Sequence, residues 1–198
     1  MSNGPLTGLK VVEFQGIGPG PHVCMMLADM GAEVVRIERA GHQPMNPVVE
    51  RARHRAEVDL KSAEGQAFVK QALAHADVLV EGFRPGVLAR LGLSYEVVAQ
   101  TNPGVIYCSI SGYGQDGERA GKPGHDLTYH ADAGTLAQNG PCAAIVPPLP
   151  IADLASGLMA ATTINAALVG SATSGEGARL YVSMADVMAS WSFPVALP

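Results

Sequence analysis

His125 and Asp126 stand side by side in Gly124-His125-Asp126-Leu127-Thr128-Tyr129, and a further carboxylate, Asp153, follows about a helix and a loop later. One imidazole and one carboxylate facing a common substrate can do acid–base chemistry at carbon, with a base on one face and a proton donor on the other. The same residues have a plainer use. Asp126 is also what a helix start or a surface charge looks like, and His125 what a local hydrogen-bonding side chain looks like. Asp153 opens a long apolar run and could do no more than cap that helix, where the dipole favours an ionised carboxylate.

Alternating strands and helices must position these groups. Leu9 to Phe14 is a short apolar, β-branched run ending at glycines, which reads as a buried strand. Gly16-Ile17-Gly18-Pro19-Gly20-Pro21 follows, then a helix from His22 to Met30 stopped by Gly31, and a second strand from Glu33 to Glu38. Such a βαβ unit crosses over right-handed. It invites a dinucleotide reading with Glu38 ready for a ribose. The loop departs from that fingerprint, because its third glycine comes one position early and Pro19 and Pro21 remove two N–H donors. A nicotinamide cofactor is therefore set aside, while the loop remains open to part of another nucleotide.

From Arg39 to Arg55 the chain reads as irregular and basic. Arg51, Arg53 and Arg55 alternate, so they share one side if extended, or belong to a solvated loop. Val58 to Lys61 reads as a short strand, and Ser62 caps a helix running to Ala76. Asp77 to Val80 is another buried strand, with Arg84 and Arg90 flanking the turn after it, where ligands lie in an open α/β sheet. A helix from Ser94 to Gln100 ends at Asn102-Pro103. The strand Val105 to Ile110 then leads into Ser111-Gly112-Tyr113-Gly114. Leu154 to Val169 is apolar but interrupted by Ser156, Thr162, Thr163 and Asn165, and reads as a buried helix rather than a membrane span. Leu180 to Ser183 is a strand and Met184 to Trp191 a closing helix.

Composition limits the partners. The 198 residues are 47% apolar and 16% charged, with net charge −5, enough for one folded domain (1–198) and of the wrong sign for general nucleic-acid binding. A bound anion needs local Arg and Lys clusters. Cys24, Cys108 and Cys142 lack ligand spacing, so reduced thiols in a cytoplasmic setting and no metal are expected. The N-terminus has no basic-then-apolar signal segment.

Taken in order, Gly8-Leu9-Lys10-Val11-Val12-Glu13, Met26 to Glu38, Asp59-Leu60-Lys61-Ser62, Ala76 to Leu88, Arg90-Leu91-Gly92 and Ile106 to Gln115 resemble the family III CoA-transferases. Gly18-Pro19-Gly20-Pro21-His22 and the Gly124 to Tyr129 segment resemble the α-methylacyl-CoA racemases within them. The resemblance implies a Rossmann-like α/β fold, a parallel sheet with flanking helices, and a chain corresponding to the large domain, with the family's second, smaller domain absent. It implies an acyl-CoA substrate with no separate cofactor, and an interlocked homodimer without membrane or nucleic-acid partners. Arg39, Lys61, Arg84 and Arg90 would hold the CoA phosphates, beside Gly18, Pro19, Leu60, Gly82, Phe83, Gly112 and Tyr113.

The expected reaction is racemisation of a 2-methylacyl-CoA by two-base proton transfer. His125 and Asp153, with Asp126 beside them, carry the catalysis, and the N–H groups heading the Asp153 helix are candidates to hold the enolate oxygen. By the same resemblance, a glutamate from the family's later region would support the histidine. Two alternatives stay open: CoA transfer with Asp153 as nucleophile, and a CoA-binding domain without activity.

Overall fold

The β-branched runs lie side by side in one sheet. The structure, a computed structural model, describes residues 4–43, 46–139 and 146–192. Among these residues the strands are β1 (Lys10–Phe14), β2 (Glu33–Glu38), β3 (Arg53–Glu57), β4 (Val78–Glu81), β5 (Ile106–Ser111) and β6 (Ala178–Ser183). They pair in parallel in the order β3-β2-β1-β4-β5-β6. The helices are α1 (Pro19–Asp29), α2 (Ala63–Leu73), α3 (Val87–Arg90), α4 (Tyr95–Thr101), α5 (Asp126–Asp132), α6 (Ile151–Ser174) and α7 (Met184–Trp191). This is the expected Rossmann-like α/β architecture, and its order reverses between β1 and β4.

Both sheet faces are covered, which is why the central strands read as nearly continuous apolar runs. Side chains alternate across the pleat. Val11, Val34, Val78, Val80, Ile106 and Cys108 pack with α1, α6 and α7 on one face. Val12, Phe14, Ile37, Leu79 and Tyr107 pack with α2, α3 and α4 on the other. Cys24 and Cys108 are buried and unbridged, whereas Cys142 lies outside the described residues.

The region before α2 corrects the sequence reading. The strand is Arg53–Glu57, and Val58 to Lys61 form the turn ahead of α2. Of Arg51, Arg53 and Arg55, the first is exposed in the segment just before β3 and the other two lie on that strand. The three pair with Asp29, Glu13 and Glu38 respectively. Glu13, Arg36 and Arg53 are buried together on the α1 face, with Arg36 Nη1 3.3 Å from Glu13 Oε1. Opposite charges carried by β1 and β2 thus hold an edge strand that has almost no apolar side chains.

Helix α6 begins at Ile151 and runs to Ser174, where Gly175 closes it in the left-handed region. Its buried side is Ala152, Ala155, Ser156, Gly157, Ala160, Ala161 and Ile164, and all but the last are small residues that let α1 approach closely. It is long and apolar enough to cross a membrane, with a mean hydropathy of 1.3, yet one side packs on the protein and the other exposes Leu154, Leu158 and Val169. The expectation of a buried helix holds for one side of it.

Candidate active site

Gly18 and Asp153 come from opposite ends of the chain and meet at the carboxyl edge of the sheet. Gly18 is the N-cap of α1, with φ 70°, and Pro19 occupies the first helical position, where its missing N–H is not needed. A methyl group on Gly18 would lie 2.7 Å from Asp153 Cγ, so the carboxyl rests directly on the glycine backbone. One turn further along α6, Gly157 is covered by the ring of His22 from α1. Burial holds that imidazole below its usual range, with the backbone of Leu154 pulling the other way.

Asp153 does not behave as an ordinary helix-capping carboxylate. Burial first, and then the negative charge of Asp126, push its carboxyl up to about 6, while His125 pulls the other way. That reverses the expectation from the helix dipole. Desolvation and a neighbouring like charge outweigh a half-charge at a helix end. His125 is near enough for its charge to be felt by Asp153. It is the exposed N-cap of α5, and its backbone N–H donates to the Thr128 hydroxyl at 3.2 Å.

Asp126 has a different task from the two beside it. Its Oδ1 accepts the N–H groups of Ala152 at 2.7 Å and Asp153 at 3.2 Å, tying α5 to the head of α6. The N–H groups of Ile151 and Leu154 donate to the carbonyls of Leu149 and Pro150. All four leading N–H groups of α6 therefore have acceptors already, and they are not available to an enolate oxygen as expected from sequence.

A cleft of about 1150 Å³ opens at the carboxyl ends of β1 to β4, at the reversal of strand order. Gln15, Gly16 and Ile17 form one wall, and Arg39, Leu60, Lys61, Gly82 and Phe83 line it, together with the carboxylates of Glu38, Glu57 and Asp59. Arg84 and Arg90 stand outside that lining, both exposed, with Arg90 Nη1 folded back over Gly86. Gly112 and Tyr113 lie instead beside α5. The Tyr129 hydroxyl is wedged against Gly112 and Gly124, and Tyr113 donates to Asp132 at 2.8 Å. The predicted ligand residues thus fall into a cleft group, a group around Asp153 and α5 that includes Gly18 and Pro19, and two outlying arginines.

Sequence reasoning passed over Tyr129 and His130, both buried on α5. Burial pushes the Tyr129 phenol up to about 12, with the charges of Tyr113 and Asp153 adding to it. The available signal for His130 was its position four residues after Asp126, on the same side of one helix.

The chain matches the family model "CoA-transferase family III" over residues 6–197. It is 40% identical to the mouse alpha-methylacyl-CoA racemase over 91% of its own length and 48% of that protein's. It is 34% identical to the human succinyl-CoA:glutarate CoA-transferase over 87% of its own length and 43% of that protein's. A crystal structure of a CaiB/BaiF family protein from Brucella suis superposes with a TM-score of 0.88 at 31% identity, covering 96% of this chain and 56% of that one. The chain spans about half the length of the relatives it matches. It belongs to CoA-transferase family III.

Proposed function

We propose that this chain carries the CoA cleft and the proton-transfer groups of an acyl-CoA racemase or epimerase acting on 2-methylacyl thioesters. The observation that carries the reading is continuity. Gly16 and Ile17 form a wall of the cleft that holds Arg39 and Lys61, and the next residue, Gly18, is the one on which the Asp153 carboxyl rests. A nucleotide held by Arg39 and Lys61 directs its thioester arm along that loop towards Asp153 and His125. Coenzyme A enters as part of the substrate, and the reaction asks for no further cofactor.

The chemical obstacle is the weak acidity of a hydrogen next to a thioester carbonyl. Neutral His125 takes that hydrogen as a proton from one face, and the C–H electron pair moves into the enolate. Protonated Asp153 returns a proton to the same carbon from the other face. The reverse direction starts from ionised Asp153 and protonated His125. A carboxyl near 6 is divided between both forms around neutrality, as a group serving alternately as acid and base requires. Asp126 positions Asp153 through the head of α6.

The test is α-hydrogen exchange from a 2-methylacyl-CoA in D2O. His125→Ala and Asp153→Ala should each abolish exchange from one enantiomer while sparing the other more, each loss being ~10²–10⁴-fold. Arg39→Ala with Lys61→Ala should weaken CoA binding in a salt-sensitive way. Exchange retained on both faces in both single variants would sink the two-base reading. A hydroxylamine-sensitive acyl adduct on Asp153 without exchange would mark the chain as a transferase instead.

A further inference from the structure

Asp126 divides its carboxylate between two neighbours. Oδ1 takes the two amides at the head of α6, and Oδ2 faces His130 Nε2 at 3.6 Å, one turn along α5. His130 is 3% exposed. Its Nδ1 lies 2.8 Å from the Thr135 hydroxyl, which also reaches the carbonyl of His130 at 3.1 Å. Nε2 is buried and makes no hydrogen bond. A buried imidazole nitrogen in that condition is costly, and an apolar side chain would fill the same space without the cost. The charged group facing that nitrogen is the carboxylate that holds α6.

We propose that His130 is a positioning residue: acting through Asp126, it fixes the first turn of α6 and with it the carboxyl of Asp153. The inference rests on Asp153 being the carboxyl that works on substrate. The Thr135 hydroxyl donates its hydrogen to the His130 carbonyl, so Nδ1–H donates to the hydroxyl oxygen, and in the imidazolium Nε2 carries a second hydrogen directed at Asp126 Oδ2. A closure of a few tenths of an ångström makes that contact a hydrogen bond, with an upper limit near 3.2 Å for good geometry. In that state Oδ2 is held and Oδ1 is left to the two amides. Without it, the carboxylate is free to turn about its last torsion and share its oxygens differently between those amides.

The same contact moderates the field at Asp153. The Asp126 charge is one of the causes that raise that carboxyl, and an N–H or a positive charge on Oδ2 offsets part of it. The other groups acting there are His125 and Tyr129, both from the α5 segment. His22 of α1 sits one turn along α6, against Gly157.

The experiment uses the full chain with ¹³C-labelled aspartate carboxyls, the Asp153 signal being identified by its loss in Asp153→Asn. The unsubstituted chain is compared with His130→Leu and with His130→Gln, whose amide can still donate. In His130→Leu the Asp153 titration should move up by about half a pH unit or more. Its exchange kcat should fall about tenfold, with KM for the acyl-CoA unchanged. His130→Gln should recover most of both. A folded His130→Leu chain with unaltered titration and kcat overturns the proposal, as do equal effects of Leu and Gln. Should His130→Leu fold poorly, His130→Phe takes its place. The titration needs no turnover. If the unsubstituted chain exchanges nothing while Asp153 still responds to residue 130, the proton-transfer reading fails and the positioning role stands.

Discussion

Asp153 shows how two influences on one carboxyl are ranked. Its place in the first turn of α6 favours ionisation by ~0.3–1 kcal/mol. Burial against Gly18 and the charge of Asp126 oppose that and win, leaving the group at about 6 rather than 3.8. The residue types and their order made this pair legible in sequence. The direction of the shift was not, because its causes arrive from residues 18 and 126, brought in by the fold. A raised carboxyl favours the protonated folded state, so its contribution is most favourable below about 3.8 and is lost as pH rises through about 6. Asp153→Asn should therefore stabilise the chain above pH 7 by about 1 kcal/mol, a figure reduced for partial exposure, with little effect at pH 4. Thermal melts at pH 4 and pH 8 check this, and an equal effect at both would refute it.

At the scale of elements, β3 escaped the sequence reading because hydrophobic periodicity is the main strand signal and Arg-His-Arg-Ala-Glu has none. The strand is set by charges on its neighbours, which a scan along one segment cannot see. β1, β2, α2, β4, α4, β5 and α7 were legible within a residue or a few at their ends, since each carries its own apolar pattern or cap. The buried cluster also makes a prediction about β3. Arg53→Ala leaves Glu13, which is fully buried, with Arg36 alone to balance it, and should cost about 3 kcal/mol in urea unfolding at pH 8. Burial already raises the Glu13 carboxyl against the pull of Arg53 and Arg36, and removing Arg53 raises it further. The loss should therefore shrink as pH falls and Glu13 takes up a proton. A double change, Glu13→Gln with Arg53→Met, should cost less than Arg53→Ala. A loss that is independent of pH would rule out an uncompensated Glu13 charge as its cause.

Across the whole molecule, the cleft lies where the strand order reverses, and the sequence pointed only to basic residues around the ends of strands. It could not tell that Arg39 and Lys61 reach the cleft while Arg84 and Arg90 do not, since that depends on how the loop after β4 folds back. The exposed stripe of Leu154, Leu158 and Val169 on α6, with Trp191 also exposed, supports self-association as a proposal for this chain. Sedimentation velocity should show a dimer or larger species that Leu158→Lys weakens, and a concentrated monomer without substitution would refute it. The order β3-β2-β1-β4-β5-β6 also bears on how the chain is made. β1 becomes an interior strand, and its pairing with β4 must wait for about sixty more residues. Until then one whole edge of a three-stranded sheet stays unpaired, next to an apolar face that α6 covers only about seventy residues after β4. The nascent chain thus passes through a long interval in which chaperones have the most to hold, and slow translation prolongs it.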